Sequence, residues 1–319
     1  MSDRMVIRRK TFVLSMDPEV GAVPDADILV EGGVIREICP SPLEIDAVEL
    51  DTSGNLAIPR FVDTHRHLWN SMLKRFLPNC IVADYAEKVG VRRLREQFFS
   101  SDDQLLGSTL AARGPGLPPD VAALADWALG WGLEFIIGIH CDARWPGSHH
   151  RTVPDVVRLV LLGPDVNYVH LNKTPAEGLA RITVSGGPVS ITPLIEMMAG
   201  HGHLPIGKLL GAGLRPTLSV DAVMNVPGDM FSEERAALSF ERVTQLPEDV
   251  AAVWHPTLTP RDVLEFATID DGRAMRRHHK RGSLRRSKDA DIVLIRADKY
   301  RHDASQRPSR DCRHTGRHV

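Results

Sequence analysis

The stretch FVDTHRHLWNSML (Phe61–Leu73) places two histidines one residue apart, directly after Asp-Thr. The run AIPRFVD that leads into it is apolar and strand-like, and residues i and i+2 of a strand point to the same face. His65 and His67 are therefore predicted to converge on one point. Neutral imidazole is a common protein ligand for zinc, so the pair indicates a metal site. Two hydrogen-bonded histidines at a strand end would give the same pattern, and the pair alone does not decide.

Three later strand-like runs also end in a residue that can bind a metal: His140 after LEFIIGI, His170 after VNYV and Asp221 after RPTLSV. Helical runs over 118–132, 153–163 and 205–213 alternate with the strands GSTLAAR, LEFIIGIH, VNYVH, GPVSIT and RPTLSVD, as in parallel βα units. In a (β/α)8 barrel the carboxyl ends of the strands meet at one face, and that face carries the active site. The sequence therefore predicts a TIM-like α/β barrel with a metal centre.

The N-terminal region has a different pattern of apolar and polar residues. Residues 5–57 consist of short alternating apolar and polar runs, and Gly32-Gly33 between two of them predicts a hairpin. The segment GSLRRSKDADIVLIRAD (282–298) is strand-like again. It is expected to pair back with the N-terminal strands, which makes this β module discontinuous in sequence.

Composition is that of a soluble globular protein: 43% of the 319 residues are hydrophobic and 25% are charged. The 5% aromatic content argues against stacking platforms for nucleic acid. The sequence shows no membrane span and no signal peptide. The four cysteines form no CxxC, so a reducing cytoplasm is the expected location. Residues 300–319 are basic, without apolar period, and are expected to be a disordered tail.

The combined motifs resemble the amidohydrolase superfamily, in its cytosine deaminase-like branch of S-adenosylhomocysteine/adenosine-type deaminases and chlorotriazine hydrolases. The matching segments are PRFVDTHRH (59–67), GIH (138–140), VNYVHLN (166–172), SGGPVSITPLIEMMAGHG (185–202), LSVDAV (218–223), GDMFSEER (228–235) and GSLRRSKDADIVLI (282–295). The resemblance implies a barrel over 58–277 and a small β-sandwich built from residues 1–57 and 278–299.

The resemblance also implies one divalent metal ion, zinc before iron, held by His65, His67, His140 and Asp221. A metal-bound hydroxide would attack an sp² carbon that carries an amino or halide group. Asp221 would accept the proton of the water, and His170 would contact the attacking oxygen or polarise the substrate. The expected partner is a small-molecule substrate, with no specific nucleic acid and no membrane; a homo-oligomer is left open.

Three further residues are candidate substrate contacts. Glu196 and His201 follow the seventh strand, although a solvated loop would explain them nearly as well. Arg113 closes the run GSTLAAR and would bind a carboxylate or a phosphate, unless it is an ordinary surface arginine.

Spacing and chemistry both depart from the family pattern. A barrel of about 250 residues uses roughly 31 per βα unit, so the 73 residues from His67 to His140 are too few for four units. About two units are expected to be missing, near residues 86–92. Where the family places a proton-shuttling glutamate three residues after the fifth-strand histidine, this chain has Ala143, and Asp142 is the candidate substitute.

Two turns in which the family pattern has glycine carry Arg60 and Ser287 in this chain.

The retained candidate ligands and these departures leave two hypotheses. The chain is either a hydrolase of a non-peptide carbon–nitrogen (or carbon–halogen) bond, or a catalytically inactive relative or remnant that only binds ligands.

Overall fold

The computed structural model of the chain describes residues 4–40, 42–67, 110–112, 137–141, 162–164, 166–223, 226–246 and 258–297. Contacts divide the chain into two units, formed by Met1–Arg60 with Ser283–Val319 and by Phe61–Gly282. Within the described ranges, no helix combines the length and the apolar character needed to cross a membrane.

Six strands form the sheet of the first unit: β1 (Arg4–Leu14), β2 (Ala22–Glu31), β3 (Val34–Cys39), β4 (Val48–Asp51), β5 (Asn55–Pro59) and β11 (Ile292–Arg296). Their order is β11-β5-β1-β2-β3, and β4 pairs in parallel with β1. One face of this sheet buries an apolar cluster of Ile7, Val13, Ala26, Ile28, Ile35, Ala57 and Leu284.

Two sequence predictions about this unit are confirmed. Strands β2 and β3 pair in antiparallel fashion around Gly32 and Gly33, whose φ angles are +59° and +73°. A two-residue turn with both central φ angles positive favours glycine, because glycine lacks the Cβ that clashes there. Strand β11 returns from the far end of the chain and pairs with β5 from Ile292 opposite Pro59 to Arg296 opposite Asn55. The second layer of the expected β-sandwich stays a prediction.

The second unit contains a parallel sheet of five described strands: β6 (Leu110–Ala112), β7 (Ile137–Cys141), β8 (Val166–His170), β9 (Val189–Ile191) and β10 (Pro216–Leu218). Their order is β10-β9-β8-β7-β6, so each strand lies beside its neighbour in sequence. All pairs are parallel. This arrangement is the half-barrel part of the predicted α/β fold, and its strands correspond to five of the six strand-like runs that were expected to form it.

The described helices of this unit are α1 (Ala176–Ser185), α2 (Pro193–Met198), α3 (Ile206–Gly211), α4 (Met230–Thr244), α5 (Pro260–Glu265) and α6 (Asp271–Ala274), with a π-helical turn at Phe266–Asp270. The predicted helix over 205–213 is confirmed as α3. Those over 118–132 and 153–163 lie outside the described residues, apart from 162–163. Apolar side chains of these helices pack with Val189, Ile191 and Leu218 of the strands.

One sequence interpretation is wrong. The apolar run LAIPRFVDTH is predicted to be a single strand that leads to the histidines, but β5 ends at Pro59 and belongs to the sheet of the first unit. Residues 60–65 are not in a strand, and Arg66 makes an isolated parallel bridge to Asp221. The run is apolar because it contributes to two separate hydrophobic cores. Ala57 belongs to the core of the first unit, and Phe61 packs against the core of the second. The two missing βα units stay a prediction, since residues 68–109 lie outside the described ranges.

Candidate metal centre

The backbone fixes the two histidines beside Asp221. The amide of Asp221 donates to the carbonyl of His65 over 3.0 Å, and the amide of His67 donates to the carbonyl of Asp221 over 2.8 Å. These bonds bracket the bridge between Arg66 and Asp221. As a result, His65 Nε2 lies 3.4 Å and His67 Nε2 lies 2.9 Å from the same carboxylate oxygen, Asp221 Oδ1. The predicted convergence of His65 and His67 is confirmed, although a bridge and not a strand produces it.

His170 enters the same group from the end of β8. Its Nε2 lies 3.9 Å from Asp221 Oδ2, and its ring centre lies 5.9 Å from that of His65. His65, His170 and Asp221 each offer one ligand atom, and these three atoms lie within 4.8 Å of one another. All three side chains are buried. Two imidazoles and one carboxylate are the donor types that zinc prefers, so these residues fit the metal that the sequence predicts.

Backbone strain coincides with this group. His170, Leu171 and Asp221 have φ angles of +80°, +59° and +61°, in the left-handed region that side chains with a Cβ rarely adopt. Each such residue costs on the order of 1–3 kcal/mol, and such residues cluster at functional sites. Two of these strained residues, His170 and Asp221, belong to the candidate metal centre. This supports a functional role for the turns after β8 and β10.

Protonation states also suit metal binding. Burial lowers the pKa of His65, although Asp221 opposes that shift, and a neutral imidazole is the form that binds metals. Burial acts to raise the pKa of Asp221, but His67 and His65 outweigh it and hold that pKa well below its usual value. Asp221 is therefore a carboxylate at neutral pH. The neighbouring Asp63 differs, because burial raises its pKa to about 6 despite the opposing charge of Arg66.

Glu196 and His201 are buried, with 0% and 1% of their surface exposed. The solvated-loop alternative for these two residues is therefore wrong. Glu196 lies on α2, and its Oε1 is 3.1 Å from His170 Nδ1. The ring of His201 lies 4.8 Å from the ring of His170, nearly perpendicular to it. Both residues contact His170, and their direct contact with a substrate stays a prediction.

The remaining predicted site residues are less completely described. His140 lies on β7 opposite Val169 of β8, at the carboxyl end of the sheet that also carries His170, but its side chain is not described. Asp142, Ala143 and Arg113 lie outside the described residues. Their predicted roles as metal ligand, proton shuttle and substrate contact stay predictions.

Sequence reasoning missed two residues next to His170. Asn172 Nδ2 donates to Glu196 Oε2 over 2.9 Å, and Thr192 Oγ1 lies 3.2 Å from His170 Nδ1. Both are buried polar residues near the carboxyl end of a parallel strand. Asn172 lies two positions after β8, and Thr192 lies immediately after β9. That position, at the carboxyl edge of a parallel sheet, was the available signal.

Sequence comparison adds independent evidence. The protein resembles 5'-deoxyadenosine deaminase of Methanococcoides burtonii, with 21% identity over 92% of this chain and 84% of the relative. It is 31% identical to the 5-methylthioadenosine/S-adenosylhomocysteine deaminase of Teredinibacter turnerae, over 46% of this chain and 31% of that protein.

Solved structures show the same fold. A zinc-bound adenosine deaminase from Xanthomonas campestris superposes with a TM-score of 0.74 at 16% identity, over 96% of this chain and 87% of that one. Zinc-complexed atrazine chlorohydrolase from Arthrobacter aurescens gives 0.63 at 16% identity, over 92% and 87%. Residues 149–311, slightly more than half of the sequence, match the Amidohydrolase family. The predicted family is thereby confirmed, and the chain belongs to the amidohydrolase family.

Proposed function

We propose that this protein is a metal-dependent hydrolase that removes an amino group from an amino-substituted heterocycle, with adenine nucleosides as the first substrate class. The observation that carries the proposal is the convergence of His65, His67 and His170 on the Asp221 carboxylate at the carboxyl edge of a parallel sheet. Both relatives described above are named as deaminases of adenosine derivatives, which favours the amino group over a halide as the leaving group.

His65, His67 and Asp221 would hold a single zinc ion, and His140 would complete the set from β7. A divalent metal at such a site supplies hydroxide from water at neutral pH. Asp221, held as a carboxylate, takes the proton from the attacking water. His170 Nε2 lies 3.9 Å from Asp221 Oδ2 and would donate to or accept from the attacking oxygen. Asp142 protonates the leaving amine in place of the glutamate that Ala143 replaces.

A shortened barrel is part of this proposal. The match with the Methanococcoides burtonii relative extends over 378 positions, although the chain has only 319 residues. The alignment must therefore contain many positions at which this chain has no residue. Together with the short spacing from His67 to His140, this supports the loss of about two βα units before β6. The domain boundaries proposed above, at residues 57/58 and 277/278, allow such a loss without changing any of the metal-binding residues.

An inactive relative is the second candidate, and Ala143 favours it because general acid catalysis is worth about 10²–10⁴-fold in rate. Metal content and turnover together separate the two. After reconstitution with zinc, the purified protein should hold about one equivalent. Asp221→Ala should lose most of it, while Asp46→Ala, which removes the same charge from an exposed loop, should not.

Turnover is measured as ammonia release from adenosine, 5'-deoxyadenosine and 5'-methylthioadenosine, and as chloride release from a chlorotriazine. Ammonia release that disappears in Asp221→Ala supports the deaminase, and Asp142→Asn should then abolish it while Ala143→Glu should raise it. Protein that takes up no zinc contradicts the metal site. Zinc-loaded protein that releases neither product, even as Ala143→Glu, supports the inactive alternative.

A further inference from the structure

The ring of His170 is held from both sides. Its Nε2 faces Asp221, and its Nδ1 lies 3.1 Å from Glu196 Oε1 and 3.2 Å from Thr192 Oγ1. A neutral imidazole carries one proton, which resides on one of these two nitrogens. The nitrogen that carries it decides whether the other presents a lone pair to the metal centre. The hydrogen bonds of Glu196 answer this question.

Both carboxylate oxygens of Glu196 accept hydrogen bonds from groups that can only donate. The Thr192 amide donates to Oε1 over 2.8 Å, and Asn172 Nδ2 donates to Oε2 over 2.9 Å. The orientation of the Asn172 amide is itself determined, because its nitrogen also donates to the His203 carbonyl over 3.1 Å. A carbonyl and a carboxylate both require a donor, so the nitrogen of Asn172 must face them.

Glu196 therefore acts as a fully buried acceptor, and it faces His170 Nδ1 with an oxygen. A proton on Nδ1 gives this contact a donor, whereas a lone pair there would face the carboxylate oxygen of Glu196 in a buried site. Thr192 does not change the result. Its hydroxyl lies 3.5 Å from Glu196 Oε1, so it either donates to the carboxylate directly or accepts from Nδ1 and relays the bond. If the hydroxyl donated to Nδ1 instead, the Nδ1 lone pair would still face Glu196 Oε1 at 3.1 Å, so the contact with Glu196 favours the proton on Nδ1.

We propose that Glu196 is a positioning residue, which keeps the proton of His170 on Nδ1 and the Nε2 lone pair directed at the metal centre. This gives Glu196 a role behind the histidine and not in contact with the substrate. Its catalytic consequence rests on the proposed function, because His170 must act through Nε2 in that reaction. Carboxylate partners of this kind commonly fix the tautomer and the ring orientation of histidines at metal sites.

The support of Glu196 is rigid. Its amide donates to the Thr192 carbonyl over 2.9 Å, and its carbonyl accepts from the His201 amide over 2.8 Å. At the start of the same helix, the Leu194 amide donates to Glu233 Oε2 over 3.0 Å. The backbone of Glu196 is thus hydrogen-bonded to residues before and after it in the sequence, and Glu233 of α4 binds the start of its helix.

The first test reads the tautomer directly. In protein labelled with ¹⁵N at histidine, the ring nitrogen shifts distinguish a protonated from an unprotonated nitrogen, and His170→Asn assigns the signal. Metal-free and zinc-loaded wild-type protein should both show His170 protonated at Nδ1. A proton on Nε2 in the metal-free protein would overturn the proposal, and this result requires neither turnover nor any variant of Glu196.

Variants then test the cause. In Glu196→Gln an amide replaces the carboxylate, so the Nδ1-protonated form should lose population, whereas Glu196→Asp should retain most of it. Glu233→Gln is the matched control, since it replaces a buried carboxyl group that accepts from the Leu194 amide, and it should leave the His170 signals unchanged. An unchanged tautomer in folded Glu196→Gln contradicts the proposal.

Kinetics give a separate measurement once a substrate is known. Glu196→Gln should lower kcat about 100-fold or more with little change in KM, because a wrong tautomer impairs the reaction and not substrate binding. Partial recovery of kcat in Glu196→Asp supports positioning, while a rise in KM at unchanged kcat would identify Glu196 as a substrate contact. If no substrate is found, the proposed function fails and the tautomer result still stands.

Discussion

The two sheets of this protein use their faces differently. The sheet of the first unit buries an apolar cluster that includes Ile28 and Ile35. In the parallel sheet of the second unit, Val189 and Ile191 join the apolar core, while Ser190 between them bonds to Thr64 and Asn167. Thr64 directly precedes the histidine pair. One sheet therefore provides a scaffold, and the other carries in addition a buried layer of hydroxyl groups that continues into the metal centre.

The two units also differ in where residues other than glycine adopt positive φ angles. In the first unit Ser287 has a φ angle of +74° at a turn, and in the second unit Asp221 has +61° at a proposed metal-ligand position. Glycine would relieve the strain in either place, but at Asp221 it would also remove the carboxylate that is proposed to bind the metal. We expect the strain at Ser287 to be incidental and the strain at Asp221 to be functional, and substitutions in both regions can test this.

The largest effect on stability is expected at the apolar face of the second unit. Leu209 on α3 is fully buried, and Leu209→Ala should destabilise the protein by about 3–5 kcal/mol because it removes packed atoms and leaves a cavity. Its neighbour Leu210 is only partly buried and is the control, so Leu210→Ala should cost clearly less. Urea unfolding of both variants measures the difference, and equal losses would contradict the assignment of the core to this face.

The second effect concerns a buried charge near the site. Burial raises the pKa of Glu233 to about 8, with Glu196, Asp63 and Asp221 adding to the shift and the bond from Leu194 opposing it. A carboxyl whose pKa is raised by folding stabilises the protein at low pH. That contribution is lost as pH rises from the unfolded value near 4.5 to about 8.

Glu233→Gln should therefore flatten the pH dependence of unfolding free energy across this window. Gln keeps an acceptor for Leu194, so the variant should match wild type near pH 4.5 and exceed it above pH 8 by on the order of 2–3 kcal/mol. Denaturant unfolding at several pH values gives the result. The exposed Glu177, which pairs with Arg181 on α1, supplies a Glu→Gln control with an unchanged slope. Parallel curves for wild type and Glu233→Gln would show that Glu233 is not held protonated.

Much of this arrangement could be predicted from sequence, because its signals are local. Alternation of strands and helices indicated the parallel sheet, the glycine pair indicated the hairpin, and candidate ligand residues at strand ends indicated that His170 and Asp221 would lie together. The return of β11 to β5 also followed from its strand-like pattern. Each signal reports a property of one short segment, such as a period, a turn or an end.

Other features depend on contacts between distant segments, and no local pattern reports them. The apolar run before His65 is divided between two cores, which its hydrophobicity alone did not reveal. Glu196 looked like a loop residue because a charged side chain is usually exposed, yet His170, Thr192 and Asn172 together make its burial favourable. The hydroxyl layer was missed for the same reason, since Ser190 and Thr217 are unremarkable within strand sequences.

A smaller effect on stability is expected in that hydroxyl layer. Thr64 Oγ1 lies 2.7 Å from Ser190 Oγ, 2.8 Å from Thr217 Oγ1 and 2.7 Å from Ser219 Oγ. Thr64→Val should cost about 1–2 kcal/mol, because Ser190 and Thr217 remain bonded to each other and only part of the network loses a partner.

Zinc affinity of Thr64→Val should fall as well, since Thr64 holds the start of the histidine pair. Thr183→Val is the control. Thr183 is exposed on α1, and its hydroxyl donates to the Leu179 and Ala212 carbonyls, which solvent can replace more readily, so its removal should change both quantities less. Unaltered zinc affinity in Thr64→Val would separate the hydroxyl layer from the site.

The smallest effect is a gain in the scaffold. Ser287 stands where the family pattern has glycine, and its φ angle of +74° is one that glycine adopts without a Cβ clash. The bond from its amide to the Ile35 carbonyl, at 2.8 Å, uses only backbone atoms and survives substitution. Ser287→Gly should therefore stabilise the protein by about 0.5–1 kcal/mol, the relieved strain being partly offset by the greater entropy of glycine in the unfolded chain. Ser287→Ala removes the hydroxyl but keeps the Cβ, so it should show no such gain. Equal stability of the two variants in urea unfolding would mean that the turn is not strained, whereas a gain with glycine alone shows that strain in the scaffold can be removed without touching any residue of the metal centre.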